Sequence, residues 1–453
     1  MTLFNRSRLS NATFKLDVER MRRGWYSDKY FANVIAMLEG VADAGQWPVP
    51  RYARPLGLCL DDLKLGDIEV EMQFFTRRRP NTVVVGVDKA LAMLRHCTGF
   101  VDPDGRFVET WQNLRVEAVH DGATVLYDGD PSRIQPVIKV RGRYRDFALL
   151  ETPILGILGR ASRIATNVYR TLVAARGKPV LFFPARFDVH EVQAADGYAY
   201  SVAVQRFAYD RGAQPQSYVS TDAQGEWWGG HGGGTVAHAA IACFLGDISA
   251  AMLAFARFRP PEVPRIALVD FENDSVTDSL RTLEAMFNEH RRWTDAGQPE
   301  QARKYVLYGV RLDTSGAVRD VNVPPLGLAQ LDLGVVPRLV FAVREALDGA
   351  WLAWDLPAEW VDRAKSYCRD VRIVVTGGFD PEKIDWFETL GVPADIYGVG
   401  SSLMSNDASL GTNTDFTADV VRVRVNGEWV EMGKVGRTPC HNPELEPVDL
   451  AGL

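Results

Sequence analysis

The segment VRIVVTGGFDPEKIDWFETLGVPADIYGVGSS, residues 371–402, contains a strand-like run, a helix-like stretch and a second strand-like run in succession. Both β-branched runs lead into glycines, and the stretch between them carries apolar residues at helical spacing. A helix that connects two strands returns the chain to the same end of the sheet, so the strands run parallel. The segment therefore predicts a parallel sheet with helices packed outside it.

The same alternation of strands and helices extends back to about residue 179. It is compatible with a barrel and with a doubly wound sheet. Charged residues or glycines stand at the carboxyl ends of successive strands, which favours a barrel, because parallel barrels build their active sites at that rim. The other predicted strands are VLFFPA (180–185), SYVST (217–221), GGTVA (233–237), RIALVDF (265–271) and YVLYGVRLD (305–313).

Two glycine loops, 376–380 and 397–403, follow the last two strands. Glycine allows backbone N–H groups to approach a phosphate, although a single glycine loop is more often only a turn. Two such loops in succession at the end of a barrel favour a phosphate site. Arg311 and Asp313 lie on one side of a strand, where they could bind a phosphate, a ribose or Mg²⁺, or form a structural ion pair.

His238 follows the glycine-rich segment EWWGGHGGGTVA (226–237) and opens a predicted helix. A histidine after a strand is usually structural, but an accessible neutral imidazole can act as a nucleophile or a proton carrier. His231, inside the glycine run, is a poorer candidate. Asp270 in VDFEND is equally consistent with a helix cap and with a ligand. Arg186 and Asp222 complete the charged rim of the predicted barrel.

The N-terminal third of the chain has a different organisation. Alternating runs with tight turns between residues 68 and 142 indicate a largely antiparallel sheet with helices on one side. A long helical region with an apolar stripe follows at 147–175. We therefore predict two domains, residues 1–145 and residues 146–402, with residues 403–453 completing the first.

Composition narrows the class of protein. A net charge of −7 argues against a general nucleic-acid binder, and no apolar run is long enough to span a membrane. The five cysteines form no close pair, and the N-terminus lacks the apolar core of a signal peptide, so we expect a cytoplasmic protein. The motifs of P-loop NTPases, dinucleotide-binding folds, HExxH metalloproteases and GxSxG hydrolases are absent.

Six segments, taken in their order along the chain, resemble the nicotinate phosphoribosyltransferase family, particularly its shorter archaeal and bacterial form. The resemblance implies an irregular α/β barrel plus an open-faced α/β sandwich domain, the type II phosphoribosyltransferase architecture. It also implies a homodimer in which each active site is built from both subunits. The segments are YSDKYF (26–31), YRDFALLETPILGILGRAS (144–162), GTVAHA (234–239), VRLDTSG (310–316), VVTGGFD (374–380) and YGVGSSL (397–403).

The resemblance further implies a reaction. Such enzymes make nicotinate mononucleotide and pyrophosphate from nicotinate and phosphoribosyl pyrophosphate, a step of NAD biosynthesis. They couple the transfer to ATP hydrolysis through a phosphohistidine, which His238 matches. Mg²⁺ would enter with phosphoribosyl pyrophosphate and ATP, and we expect no metal site made of protein side chains alone. The tail PCHNP (439–443) has lost the family's cysteine-rich character, so we expect no zinc.

The roles of the base-binding residues follow from the same resemblance. Phe183 would stack on the pyridine ring and Arg186 would face its carboxylate. Tyr30 of the neighbouring subunit would cover the other face of the ring, with Asp28 beside it, and Asp222 would lie near the ring.

The resemblance also assigns residues to the sugar and its phosphates. Arg311 and Asp313 would hold the ribose and the magnesium-bound pyrophosphate. The further expected contacts are Asp270 and Ser315 for the substrate, Gly377, Gly378, Gly398, Gly400 and Ser401 for the 5′-phosphate, and Arg77 or Arg78 together with Lys434 for the pyrophosphate.

Departures from the family pattern leave other functions open. Pro184 replaces the glycine after Phe183, and the short segment between Asp222 and His238 carries two tryptophans. The segments 294–304 and 316–334 also fall outside the match. The alternatives are the same transfer with quinolinate or nicotinamide, a non-catalytic nucleotide-binding relative, and an unrelated phosphate-binding barrel such as an aldolase. No strand-end lysine is placed as an aldolase would need.

Overall fold

The computed structural model describes residues 7–45, 47, 48, 50, 51, 53, 57, 64–213 and 215–453. The contacts of the chain divide it into two units. The first consists of Met1–Tyr169, Tyr198–Arg206 and Ser405–Leu453, and the second of Arg170–Gly197 and Phe207–Met404. The domain boundaries after residues 145 and 402 stay predictions.

A six-stranded antiparallel sheet organises the first unit. Its central strand β1 is buried along nearly its whole length, and this includes the polar side chains of Glu71 and Gln73, which alternate with Met72 and Phe74. Two small two-stranded sheets lie beside it, β2 with β6 and β3 with β4. The strands are β1 (Glu69–Thr76), β2 (Asn81–Val83), β3 (Gly99–Val101), β4 (Phe107–Glu109), β5 (Arg115–Ala118), β6 (Thr124–Leu126), β7 (Ile138–Arg143), β14 (Phe416–Val425), β15 (Glu428–Glu431) and β16 (Glu446–Pro447).

The core of the first unit forms where helix α3 (Val87–Cys97) packs on this sheet. Val87, Leu91 and Leu94 recur at helical spacing and share one buried cluster with Met72 and Phe74 of β1. The other helices of this unit are α1 (Val18–Arg22), α2 (Lys29–Ala44) and α4 (Tyr144–Phe147), while α5 (Glu151–Ala174) and α6 (Gln193–Arg211) contribute residues to both units.

Six parallel strands form the sheet of the second unit, in the order β10-β11-β12-β13-β8-β9. Because β13 pairs with β8, the last and first of these strands are neighbours, and the sheet curls as a barrel does. Among the described residues β9 and β10 do not pair, so the barrel is open there. The strands are β8 (Val180–Phe182), β9 (Tyr218–Val219), β10 (Ile266–Leu268), β11 (Gly309–Leu312), β12 (Arg372–Val375) and β13 (Ile396–Val399).

Helices connect these strands, as the alternation of the sequence predicts. No helix in the described part of the chain combines the length and apolarity that a membrane crossing requires. The helices are α7 (Asp222–Gly225), α8 (His238–Cys243), α9 (Ile248–Phe258), α10 (Ser275–Asp295), α11 (Pro299–Arg303), α12 (Ala329–Asp332), α13 (Pro337–Gly349), α14 (Ala358–Arg369) and α15 (Pro381–Thr389).

One predicted strand is wrong. The segment GGTVA (233–237) forms no strand, and the chain beside β9 makes only a single parallel bridge, between Gly232 and Val219. Glycine is a poor strand former, because it loses the most conformational freedom and offers no side chain to pack. The chain then turns directly into α8 at His238.

A buried polar cluster joins the N-terminal segment to the first unit. Arg8 donates to Asp88 over 2.9 Å, while Asp121 accepts from the Val87 backbone N–H over 2.8 Å and from the Tyr198 hydroxyl over 3.2 Å. Burial raises the pKa of the Asp121 carboxyl well above its usual range, and the neighbouring Asp88 raises it further. The folded protein therefore binds a proton at Asp121 that the unfolded chain releases at lower pH.

We expect this proton to make stability depend on pH. Since the pKa of Asp121 is higher in the folded state, its contribution to the free energy of unfolding is full below about pH 4 and falls as pH rises towards about 8. Asp121→Asn cannot titrate. The free energy of unfolding of the variant, relative to that of the wild type, should therefore rise by more than about 1.4 kcal/mol between about pH 5 and pH 8. Urea unfolding at both pH values checks this, and a constant difference would contradict it.

Candidate active site

The carboxyl ends of the parallel strands place His238 beside Asp270. His238 Nε2 lies 3.0 Å from Asp270 Oδ1, and the carboxylate side chain is 5% exposed while the imidazole is 47% exposed. Burial raises the pKa of the Asp270 carboxyl, and the adjacent His238 opposes this shift. A carboxylate that accepts from Nε2–H leaves Nδ1 as the unprotonated, nucleophilic nitrogen. The N-cap of α10 is Asp274, so Asp270 is not a helix cap. Asp270 is instead the hydrogen-bond partner of the His238 imidazole.

Arg311 lies on the adjacent strand β11 and is held by a backbone carbonyl. Its Nη2 donates to the Val236 oxygen over 2.9 Å, and its Nη1 lies 3.9 Å from Asp313 Oδ2. Its Nε is buried and has no hydrogen-bond partner among the described residues. Burial lowers the pKa of the Arg311 guanidinium, Asp313 and Asp270 counteract this, and the positive charge of Arg186 adds to it. Two guanidinium groups thus act on this position, which suits an anionic ligand.

Thr376 is a site residue that the sequence analysis missed. It is 4% exposed, follows β12, and its Oγ1 lies 2.6 Å from Asp313 Oδ1 and 3.1 Å from the Leu312 carbonyl oxygen. Donation to the charged oxygen fixes the direction of the Asp313 carboxylate. The signal in the sequence is its position, since it is the last residue before the glycine pair of the first glycine loop.

The glycines of the two loops are required by backbone conformation or by packing. Gly377 and Gly378 have φ of 86° and 69°, which side-chain-bearing residues rarely adopt. A Cβ at Gly398 would lie 2.4 Å from Thr376 Cγ2 and 3.1 Å from the Phe183 ring. A Cβ at Gly400 would lie 2.7 Å from the ring of Phe187. The loops therefore bring bare backbone close to the Phe183 ring and the Asp313 carboxylate.

The hydroxyl groups of these loops divide between the interior and the surface. Ser402 Oγ donates to the Phe379 carbonyl over 2.9 Å and so joins the second loop to the first. Ser401 is exposed at the end of β13. Ser315, also exposed, accepts from the Ala317 N–H over 3.4 Å within a turn after β11.

The base-binding candidates of the second unit lie at the ends of β8 and β9. Phe183 packs over Gly398, and the exposed Arg186 has its guanidinium carbon 5.4 Å from the Phe187 ring centre. Asp222 begins α7, and its Oδ1 accepts from the Gly232 N–H over 2.9 Å. One oxygen of Asp222 is thus already engaged by the glycine-rich segment.

Five predicted residues belong to the first unit. Tyr30 is 57% exposed at the start of α2, and Asp28 Oδ2 accepts from Thr152 Oγ1 over 3.0 Å. Arg78 is 5% exposed and donates to the side chains of Thr414 and Asn167, so it is an internal structural residue. The remaining two are Arg77, whose Nε and Nη2 are buried without a hydrogen-bond partner among the described residues, and the exposed Lys434.

Of the two candidate pyrophosphate contacts, Arg77 and Arg78, the structure therefore favours Arg77.

The described residues contain no group of three or more His, Cys, Asp or Glu side chains arranged to hold a metal ion.

The chain is similar in sequence to phosphoribosyltransferases. A family model described as quinolinate phosphoribosyl transferase, N-terminal domain, matches residues 58–162. Nicotinate phosphoribosyltransferase pncB1 of Mycobacterium tuberculosis is 25% identical over 383 residues, which cover 80% of this chain and 71% of that protein. Nicotinate phosphoribosyltransferase 1 of Arabidopsis thaliana is 25% identical over 308 residues, 65% of this chain and 51% of that protein.

Solved structures share the fold. Nicotinate-nucleotide pyrophosphorylase from Pyrococcus furiosus has a TM-score of 0.58 at 23% identity, covering 95% of this chain and 88% of that chain. Human nicotinic acid phosphoribosyltransferase has a TM-score of 0.55 at 18% identity, covering 89% and 75%. These matches confirm the predicted type II phosphoribosyltransferase fold, with a parallel half-barrel sheet. Together with the sequence relatives, they also confirm the resemblance predicted from the motifs.

We expect the Thr376 hydroxyl to matter for turnover through Asp313. Thr376→Val leaves the carboxylate without its donor and should lower kcat for phosphoribosyl transfer about 10-fold or more. Thr376→Ser keeps the hydroxyl, serves as the matched control and should stay within about 3-fold of the wild type. Steady-state rates and unfolding temperatures of both variants check this. Equal losses would mean that the methyl group packed on Gly398, rather than the hydroxyl, is needed.

Proposed function

We propose that this relative of the nicotinate phosphoribosyltransferases joins nicotinate to phosphoribosyl pyrophosphate and releases pyrophosphate, as a step of NAD biosynthesis. The observation that carries the proposal is the set of groups at one rim of the parallel sheet. A carboxylate-held imidazole, two guanidinium groups, and two glycine loops lie together there. This set suits a substrate with a phosphate at one end, a ribose in the middle and a pyrophosphate leaving group.

The chemistry of the transfer needs these groups. The pyridine nitrogen forms a bond to ribose C1 as the bond from C1 to the pyrophosphate oxygen breaks, and pyrophosphate leaves with the electron pair. The sugar becomes cationic and the leaving group gains negative charge, so catalysis consists mainly of positioning and charge stabilisation. Arg311 stabilises the departing charge, while Asp313 holds the ribose and the Mg²⁺ that the pyrophosphate brings. The glycine loops hold the 5′-phosphate.

The base is recognised by an aromatic and a cationic residue. The Phe183 ring stacks on the pyridine, and the exposed Arg186 pairs with its carboxylate through a planar fork. Quinolinate carries a second carboxylate and nicotinamide carries none, so the same pair favours nicotinate.

A second subunit completes the site in this proposal. Helix α2 is rich in apolar residues, yet Phe31 is its only buried residue among those described, and Met37 is 59% exposed. An apolar helix face without a partner suits an interface with a second copy of the chain. Tyr30, on this helix, would then cover the base bound to the other subunit, with Asp28 beside it. Arg77 and Lys434 are the candidate contacts of the pyrophosphate.

ATP hydrolysis is coupled through His238. Nδ1 of the half-exposed imidazole attacks the γ-phosphorus of ATP, a nitrogen–phosphorus bond forms, and ADP leaves with the electrons of the broken bond. Water later hydrolyses the phosphoimidazole to inorganic phosphate. Asp270 stabilises the imidazole through Nε2–H while it carries the phosphoryl group.

The scattered free cysteines suit a reducing cytoplasm, and the acidic net charge suits small-molecule rather than nucleic-acid substrates.

A product assay tests the transfer. The purified protein is given phosphoribosyl pyrophosphate and Mg²⁺ with nicotinate, nicotinamide or quinolinate, each with and without ATP. We expect nicotinate mononucleotide, formed faster with ATP. Product from nicotinamide or quinolinate alone would identify that base, instead of nicotinate, as the substrate. No product from any base would favour a non-catalytic nucleotide-binding relative.

We expect His238→Ala to lose the stimulation by ATP. The variant lacks the nucleophile but keeps Arg311, Asp313 and the loops, so a slower ATP-independent transfer should remain. Acid-labile labelling by γ-labelled ATP should disappear in His238→Ala and persist in His231→Ala, the matched control from the same segment. Full ATP-stimulated turnover by His238→Ala would eliminate the phosphohistidine.

Mixing two impaired variants tests the shared site. Tyr30→Ala and Asp313→Asn should each lower kcat/KM by about 10-fold or more, because each removes a substrate contact. If Tyr30 acts on the neighbouring subunit, half of the dimers in an equal, re-equilibrated mixture are mixed dimers, and each has one intact site. About a quarter of the wild-type activity should return on this statistical basis. If no activity returns in the mixture, Tyr30 acts in the site of its own subunit or lies outside any site.

A further inference from the structure

We propose that Asp222 positions the active site by fastening the segment that directly follows it in the chain, and that it does not act as a contact to the base. This inference rests on the proposed function for its kinetic part only. The segment in question, called here the tryptophan–glycine loop, comprises residues 223–234. It is the part of the sequence whose role the family resemblance leaves unexplained.

The loop is tied back to the sheet at its end. The Gly232 N–H donates to Asp222 Oδ1 over 2.9 Å, and the Gly233 N–H donates to the Val219 carbonyl over 2.8 Å. These bonds hold the glycine arm against β9, at the edge where the barrel is open. Asp222 supplies the only side chain among the described residues that accepts from the amides of this arm, Gly232–Gly234.

The body of the loop is packed on itself. Trp228 Nε1 donates to the Gln224 carbonyl over 2.7 Å, and Gln224 is 1% exposed with its own Oε1 accepting from the backbone N–H of Ser220 and of Thr221. A Cβ at Gly230 would lie 2.3 Å from the Trp228 ring. The indole therefore fills the loop, and the adjacent glycine is required by that filling rather than by access for a ligand.

The fastened arm leads directly to the reacting groups. Four residues after Gly232, the carbonyl of Val236 accepts from Arg311 Nη2 over 2.9 Å, and His238 follows two residues later. Since the Nε of Arg311 has no hydrogen-bond partner among the described residues, this carbonyl is the group that holds the guanidinium most closely. Release of the arm from Asp222 would therefore free both Arg311 and the start of α8.

The charge of Asp222 is also poorly suited to a base contact. Nicotinate is an anion, and a carboxylate facing it would repel it. An oxygen that accepts from a backbone N–H is satisfied without any substrate. The amide oxygen of asparagine can accept the same hydrogen bond without carrying a charge. Asp222→Asn therefore separates the effect of the hydrogen bond from the effect of the charge.

The test compares Asp222→Asn with Asp222→Ala. We expect amide hydrogen exchange in residues 229–237 to rise about 10-fold or more in Asp222→Ala, because the fastening bond is lost, and to stay within about 3-fold of the wild type in Asp222→Asn. We expect kcat for the transfer to follow the same order, with KM for nicotinate and the pH profile unchanged in Asp222→Asn.

A second pair of variants keeps the test decisive if Asp222→Ala folds poorly. Gly230→Ala forces the Trp228 ring to move and should loosen the same peptide, whereas a Cβ added at Gly234 would meet no atom within 4 Å, so Gly234→Ala should leave hydrogen exchange unchanged. Unchanged exchange in Asp222→Ala would overturn the proposal. So would equal losses of kcat in Asp222→Asn and Asp222→Ala, since the charge would then be the active feature. If the wild type makes no product with any base, the proposed function fails, and the exchange data still decide the loop's fastening.

Discussion

The pairing of β13 with β8 is the constraint on which the candidate active site depends. It aligns Tyr397 with Val180 and Val399 with Phe182, so the last strand of the second unit becomes the neighbour of the first. Because all six strands run parallel, their carboxyl ends converge on one rim. Phe183 can then pack on Gly398, although the two residues are far apart in sequence. A sheet with its strands in chain order, from β8 to β13, would leave these two residues on opposite edges.

The burial of charged groups at this rim costs free energy of folding, so their presence there indicates a functional role. Arg311 is 14% exposed and the Asp270 side chain 5%, so both charged groups have lost most of their hydration. Asp270 recovers part of this through His238, but Arg311 keeps an unpartnered Nε and feels the repulsion of Arg186. Stability alone would favour an apolar residue at such a place. A ligand that carries several negative charges would relieve this repulsion and pair with the free Nε of Arg311, so the two guanidinium groups favour a phosphorylated substrate.

The sequence was sufficient for the features that depend on local pattern. The parallel strands with charged ends, the two glycine loops, and the pair Arg311 and Asp313 could all be predicted, because each is visible within a few residues. Thr376 was not identified, although it directly precedes a glycine pair, because its role depends on β11 and β12 being neighbours. The same holds for the Gly232 bridge, which replaces a predicted strand because glycine gives no local preference and the open edge of β9 offers a single pairing.

The proposed ATP step and sugar step share charges as well as a location. Asp270 holds His238 and also acts on the charge of Arg311, while Val236 links Arg311 to the chain two residues before His238. A phosphoryl group on His238 would add about two negative charges beside a buried carboxylate. Because charges interact strongly where water is excluded, the added negative charge would draw the guanidinium group of Arg311 towards the phosphoryl group. Any such shift changes the field at Asp313, where the ribose is proposed to bind. This gives a coupling between the two reactions a physical basis in three side chains and one carbonyl group.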